Sequence, residues 1–162
     1  KFSLASLVSE ILLTLSPTLR KSACTITVDV ADSVQMDSYP GPLGQILTNL
    51  INNALVHGFP ENQAGTIAIS ARLEDGGRVV LQVQDDGRGI QKADLAHVFE
   101  PFFTTRMGQG GSGLGLHIVH NLATSVLGGA IVAHSEPGQG AKFQLTIPCT
   151  VADRQDNQPI AN

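Results

Sequence analysis

Asn49, Asn53 and His57 recur every four residues in the segment NLINNALVHG, residues 49–58. Asparagine is a poor helix former, because its short amide competes for backbone hydrogen bonds. Residues four apart on a helix share one stripe. The spacing therefore predicts a polar edge beside the apolar face of Leu43, Ile46, Leu47, Leu50, Ile51, Ala54 and Leu55. An asparagine carbonyl is a neutral oxygen ligand for a hard cation such as Mg²⁺, and its amide can donate to a phosphate. The plain alternative is a helix edge that meets water. Asn52 points further round, towards solvent.

Two other stretches carry chemistry. VQDDGRGI (83–90) sets Asp85 at the end of a strand, with Gly87 and Gly89 just beyond. A carboxylate there can accept a hydrogen bond from an exocyclic amine such as adenine's; an ordinary Asp/Gly turn is the alternative. GQGGSGLGL (108–116) runs into the start of a helix. Free N–H groups at a helix N-terminus, with the helix dipole behind them, make an anion site. No Gly-Lys-Ser/Thr follows, so this is not the Walker pattern, and it does not come after the first strand as a dinucleotide fingerprint would. A linker with a glycine-eased helix start would look the same.

The elements that must position these stretches follow from periodicity. Leu4 to Leu15 has helical spacing, with Ser3 as N-cap and Pro17 as a stop. ITVDV (26–30) alternates like a half-buried strand, and 33–36 is a short second strand. YPGP (39–42) is predicted as a turn that places Pro42 in the first turn of the asparagine helix. Residues 66–74 and 78–86 form a hairpin around Asp75-Gly76-Gly77. A short helix over 92–98 precedes the aperiodic, Gly- and Thr-rich stretch 100–111. A further helix runs from Leu114 to Leu127 and ends at Gly128-Gly129, and two strands flank Pro137–Gly140. From Cys149 the chain is polar and reads as frayed. Strands in two hairpins with helices between them predict an α+β fold: two layers, a mixed and mostly antiparallel sheet covered on one face by about three helices.

Composition narrows the class. The chain has 162 residues, 42% of them apolar, which suits one domain with a real core. A net charge of −4, no basic run, no Trp and one Tyr argue against nucleic acid. Cys24 and Cys149 suggest neither a disulfide framework nor zinc. No stretch is long and apolar enough to span a membrane, and no signal peptide is expected within these residues. The chain begins at Lys1 without Met and is expected to be a piece of something longer.

The order NLINNALVH, DDGRGI, FEPFFTT, GSGLGL and GQGAKFQLTIP resembles the N box, first glycine box, F box, second glycine box and closing strand of the Bergerat (GHKL) ATP-binding fold. It is most similar to the catalytic domain of bacterial sensor histidine kinases, over about residues 3–148. The resemblance implies a catalytic ATP-binding domain at 1–150 and a tail at 151–162. It implies ATP and Mg²⁺ as cofactors, with Asn53 as metal ligand and Asn49 and His57 on the phosphates. Asp85 would read adenine, with Gly87, Gly89 and Ile90 beside the base. Phe99, Phe102 and Phe103 match the F box. Thr104, Thr105 and Arg106 would begin a mobile lid, where the family more often has Lys at the last position. Gly111, Ser112, Gly113, Leu114, Gly115 and Leu116 would cradle the phosphates.

Asn49 helps to choose within that fold. The gyrase, mismatch-repair, chaperone and serine-kinase branches carry a glutamate there as general base. An amide cannot take a proton near neutral pH, and a neutral histidine acceptor is itself a nucleophile. The expected activity is therefore γ-phosphoryl transfer to a histidine. A GHKL ATPase or serine kinase, or a non-catalytic nucleotide sensor, is the alternative. None of His57, His97, His117, His120 and His134 has the acceptor context, and the last helix's two histidines read as surface residues. The implied partners are the kinase's own dimerisation hairpin and a downstream response regulator, with no direct membrane contact. A monomeric fragment of a homodimeric kinase, on the cytoplasmic side, is expected.

Overall fold

The computed structural model describes residues 1–59, 63–103 and 115–151. Its centre is a five-stranded sheet in the order β2-β4-β5-β7-β6. The strands are β2 (Cys24–Val30), β4 (Gly65–Glu74), β5 (Arg78–Asp85), β6 (Ala130–Ser135) and β7 (Ala141–Pro148). Only the β2–β4 pair is parallel; the others are antiparallel. The expected mixed, mostly antiparallel sheet is what forms.

One face of the sheet is apolar, and strand alternation builds it. Ile69, Val83 and Phe143 stand across one another in register, as do Leu81 and Leu145, with Ile67 on the same face, and all are buried. The opposite face carries Thr27, Ser70, Gln82 and Gln144, and Gln82 Nε2 donates to Gln144 Oε1 at 3.0 Å. Helices α1 (Leu4–Thr14), α3 (Pro40–Asn53) and α5 (Gly115–Asn121) contribute buried side chains to the core. In α3 the side chains of Ile46, Leu47, Leu50 and Ile51 are fully enclosed. Each such burial stabilises the fold by about 1.5–3 kcal/mol. Gly44 allows α1 to come close, since a Cβ there would lie 3.1 Å from Ile11 Cδ1.

Several local expectations change. Ser3 does cap α1, accepting from the Ser6 amide, but Pro17 does more than stop it. It opens a second helix, α2 (Ser16–Lys21), because proline is pre-set for the first helical turn. By the same rule Pro40 sits in the first turn of α3, so the helix starts inside the stretch read as a turn. The helix expected over 92–98 is only α4 (Lys92–Leu95). The helices expected over 43–58 and 114–127 are not uniformly α: Ala54–Gly58 and Leu122–Val126 are wide, π-type turns.

The chain ends also differ from expectation. Phe2–Ser3 forms β1, antiparallel to β3 (Gln35–Met36). The next residue, Asp37, donates to the Cys149 carbonyl at 2.7 Å and accepts from Val151 N at 3.0 Å. Residues 149–151 are thus docked rather than frayed. The 35–37 strand lies between the two, since alternate residues of a strand direct their hydrogen bonds to opposite sides. Residues 152–162 lie outside the described residues.

Candidate functional site

The site forms where the C-terminal end of α3 meets the C-terminal end of β5. Asp85, the last residue of β5, is the one polar side chain that is buried among the described residues, at 5% exposure. Its Oδ1 accepts from Gly87 N at 3.0 Å and from Ala141 N at 3.3 Å. Burial pushes the carboxyl above its ordinary value of 3.8; the two backbone amides pull the other way, and neighbouring Asp86 adds to the rise. One carboxylate oxygen is thereby pinned, and the other accepts no hydrogen bond among the described residues, as suits a group that reads a donor.

Glycines crowd around this carboxylate because nothing larger fits. A Cβ on Gly58 would sit 3.1 Å from Asp85 Cγ, one on Gly87 would overlap the Gly58 carbonyl oxygen, and one on Gly140 would overlap the Asp85 carbonyl oxygen. Gly89 and Gly140 also hold φ values of +74° and +79°. Ile90 is fixed by its amide, which donates to Ser135 Oγ at 2.8 Å, while that hydroxyl donates to the Gly140 carbonyl at 2.6 Å. Asp86 anchors the loop from below, accepting from Thr66 N at 2.8 Å.

The asparagine helix supplies the second wall. Asn49 Nδ2 donates to the Gly115 carbonyl at 3.4 Å, which ties α3 to the start of α5. The Asn53 side chain is half-buried and makes no hydrogen bond among the described residues. His57 lies one turn further on, in the wide turn Ala54–Gly58 that closes α3. Leu116 is half-buried and packs on the core at the other side of the α3–α5 contact. Thr104, Thr105, Arg106, Gly111, Ser112, Gly113 and Leu114 lie outside the described residues.

The F-box aromatics divide. Phe99 stacks edge-on against Phe143, with centroids 6.2 Å apart, and lies 5.6 Å from His120. His117 Nδ1 meets the Phe99 carbonyl at 3.2 Å, and Asn121 Nδ2 lies 3.3 Å from His117 Nε2. His117 and His120 are thus half-buried holders of Phe99 rather than plain surface residues. Phe103 packs on His97, at 5.8 Å between centroids, whereas Phe102 is 65% exposed with φ at +63°. Among the described residues no group of three His, Cys, Asp or Glu could hold a metal ion. Mg²⁺ nevertheless fits, because it keeps several waters and accepts phosphate oxygens, needing few protein ligands.

Sequence reasoning passed over Ser135, Arg88, Gly58 and Gly140 as parts of the site. Gly140 had a signal, the second glycine of the Gly138-Gln139-Gly140 turn, but its role emerges only when the turn folds against Asp85.

Comparison with known proteins agrees with this geometry. Residues 39–151 match the profile of the family described as histidine kinase-, DNA gyrase B-, and HSP90-like ATPase. The autoinducer 2 sensor kinase/phosphatase LuxQ of Vibrio cholerae serotype O1 is 39% identical over 121 residues, 70% of this chain and 14% of that protein. The nucleotide-free catalytic domain of histidine kinase ThkA superposes with a TM-score of 0.79 at 28% identity, covering 92% of this chain and 94% of that one. Full-length ShkA in complex with AMPPNP superposes at 0.75 with 31% identity, covering 93% of this chain and 31% of that one. The chain therefore spans a small part of LuxQ and about a third of ShkA.

Proposed function

The chain belongs to the histidine kinase-, DNA gyrase B-, and HSP90-like ATPase family, and from that premise we propose that it binds ATP with Mg²⁺ and passes the γ-phosphoryl group to a histidine on a separate helical hairpin. The observation that carries the reading is Asp85: a buried carboxylate with one oxygen pinned by two backbone amides and glycines on every side. An exocyclic amine is the natural donor to the remaining oxygen, and the glycines leave room for a flat base.

From there the triphosphate extends along α3 towards α5. Asn53 serves as the protein's ligand to Mg²⁺, and Asn49 and His57 contact phosphate or metal-bound water. The bound ion neutralises phosphate charge, so that this chain's part is positioning. Thr104, Thr105 and Arg106 begin the lid over the phosphates, and Gly111–Leu116 cradle them. Asn49 in place of a carboxylate supports transfer to histidine over hydrolysis, since an amide cannot act as a general base. The full kinase is a homodimer whose hairpin accepts the phosphate and hands it to a response regulator on the cytoplasmic side. No helix among the described residues is long and apolar enough to cross a membrane.

The test mixes this chain with its own hairpin and ATP labelled at the γ-phosphorus. The hairpin should acquire acid-labile phosphate and the chain alone should acquire none. Acid-labile label on the isolated chain would overturn this division of labour. ATP binding with no transfer to the hairpin would favour the non-catalytic sensor.

A further inference from the structure

Arg88 stands between the two glycines of the base-side loop, yet it bonds to the phosphate-side helix. The last carbonyls of a helix have no partner within it. At the end of the wide turn that closes α3 these are the carbonyls of His57 and Gly58. Arg88 satisfies both: its backbone N–H donates to the Gly58 carbonyl at 3.0 Å, and its Nε donates to the His57 carbonyl at 2.7 Å. A guanidinium cation is also the favoured charge at a helix C-terminus. Gly87 makes the approach possible, since any side chain there would strike the Gly58 carbonyl.

We propose that Arg88 is a positioning residue that latches the end of α3 to the Asp85 loop and so fixes the spacing between the base-reading and phosphate-holding halves of the site. The inference rests on the nucleotide reading above and adds to it. A ligand that touches only the base end is indifferent to the latch; one that must reach Asp85 and Asn53 together depends on it.

Side-chain geometry supplies the test. Gln carries its Nε2 where Arg carries Nε, so Arg88→Gln retains the donor without the charge. Arg88→Met keeps the length and removes the donor. In the nucleotide-free chain, amide hydrogen exchange over residues 54–58 should speed up in Arg88→Met and return towards the parent in Arg88→Gln. Affinity for ATP with Mg²⁺ should fall at least about ten-fold in Arg88→Met, the size of one charged hydrogen bond. Arg88→Gln should recover most of that loss, and adenosine affinity by NMR titration should stay within roughly two-fold in both. Unchanged exchange in Arg88→Met, equal losses in the two variants, or adenosine affinity falling in step with ATP would each overturn the latch. A parent chain that binds no ATP would refute the nucleotide reading instead, and the exchange measurement would still decide whether Arg88 holds the turn.

Discussion

Asp85 holds the most chemistry per atom in the molecule. Asp85→Ala removes a charged hydrogen-bond acceptor, a loss of about 1.5–3 kcal/mol, or roughly ten- to a hundred-fold in ATP affinity by calorimetry. Asp85→Asn separates binding from folding. Its Oδ1 can still serve the amides of Gly87 and Ala141, but its other end becomes a donor, so adenine recognition should be lost. Burial raises the folded carboxyl above its ordinary 3.8, so the folded chain holds that proton more tightly than the unfolded chain. Stability that is complete below that ordinary value therefore falls as pH rises through the folded value. Asn has no such loss. Without nucleotide, the Tm of Asp85→Asn relative to the parent should climb as pH rises from the ordinary 3.8 through the higher folded value; a difference that does not vary with pH would show that burial of the charge costs nothing. Asn53→Ala should behave differently, keeping adenosine within a few-fold while Mg²⁺-dependent transfer disappears. Loss of adenosine binding with it would remove Asn53 from the metal. Asp85, Gly87 and Gly89 were legible because their spacing is local. Arg88 and Ser135 were not, because each acts on a residue more than thirty positions away.

Elements were legible where hydrophobic period was strong. Every strand of the main sheet stands within a few residues of where alternation placed it, and α1 and α3 follow their apolar stripes. Helix ends were less legible. A wide turn at 54–58 has no composition of its own; it arises because the helix end must meet the loop after β5, and that contact is tertiary. Prolines misled for a related reason: the same fixed φ that ends one helix starts another, as Pro17 does. The tight seam between the β6–β7 turn and β5 yields a direct prediction. Gly140→Ala should cost about 1–3 kcal/mol from its positive φ alone, and more from overlap with the Asp85 carbonyl. Gly76→Ala shares the positive φ but meets open space, so its cost should stay near 1–2 kcal/mol. Urea midpoints for the pair isolate the packing cost; equal shifts would mean the seam is looser than it stands here.

At the scale of the molecule, the surface around the site is uneven. Phe102 holds a strained backbone and leaves most of its ring exposed, while Phe99 is locked against Phe143 and His120. An exposed aromatic of this kind suits a docking contact. Replacing Phe102 and Phe103 by Ala should cut transfer to the hairpin while ATP affinity stays nearly intact. Parallel loss of both would place these rings inside the nucleotide site.

The short strand 35–37 has a consequence for how the polypeptide is threaded. It holds Phe2 on one side and Thr150 on the other, so those residues lie about two strand spacings apart, roughly 10 Å. Order along the backbone is then nearly independent of order in space. A circular permutant that joins residue 2 to residue 150 through a short Gly-Ser bridge, and opens between Asp75 and Gly76, should fold with the same far-ultraviolet spectrum and retain nucleotide binding. The new termini would emerge at a turn where added side chains meet nothing, at the opposite end of β5 from the carboxylate that reads the base.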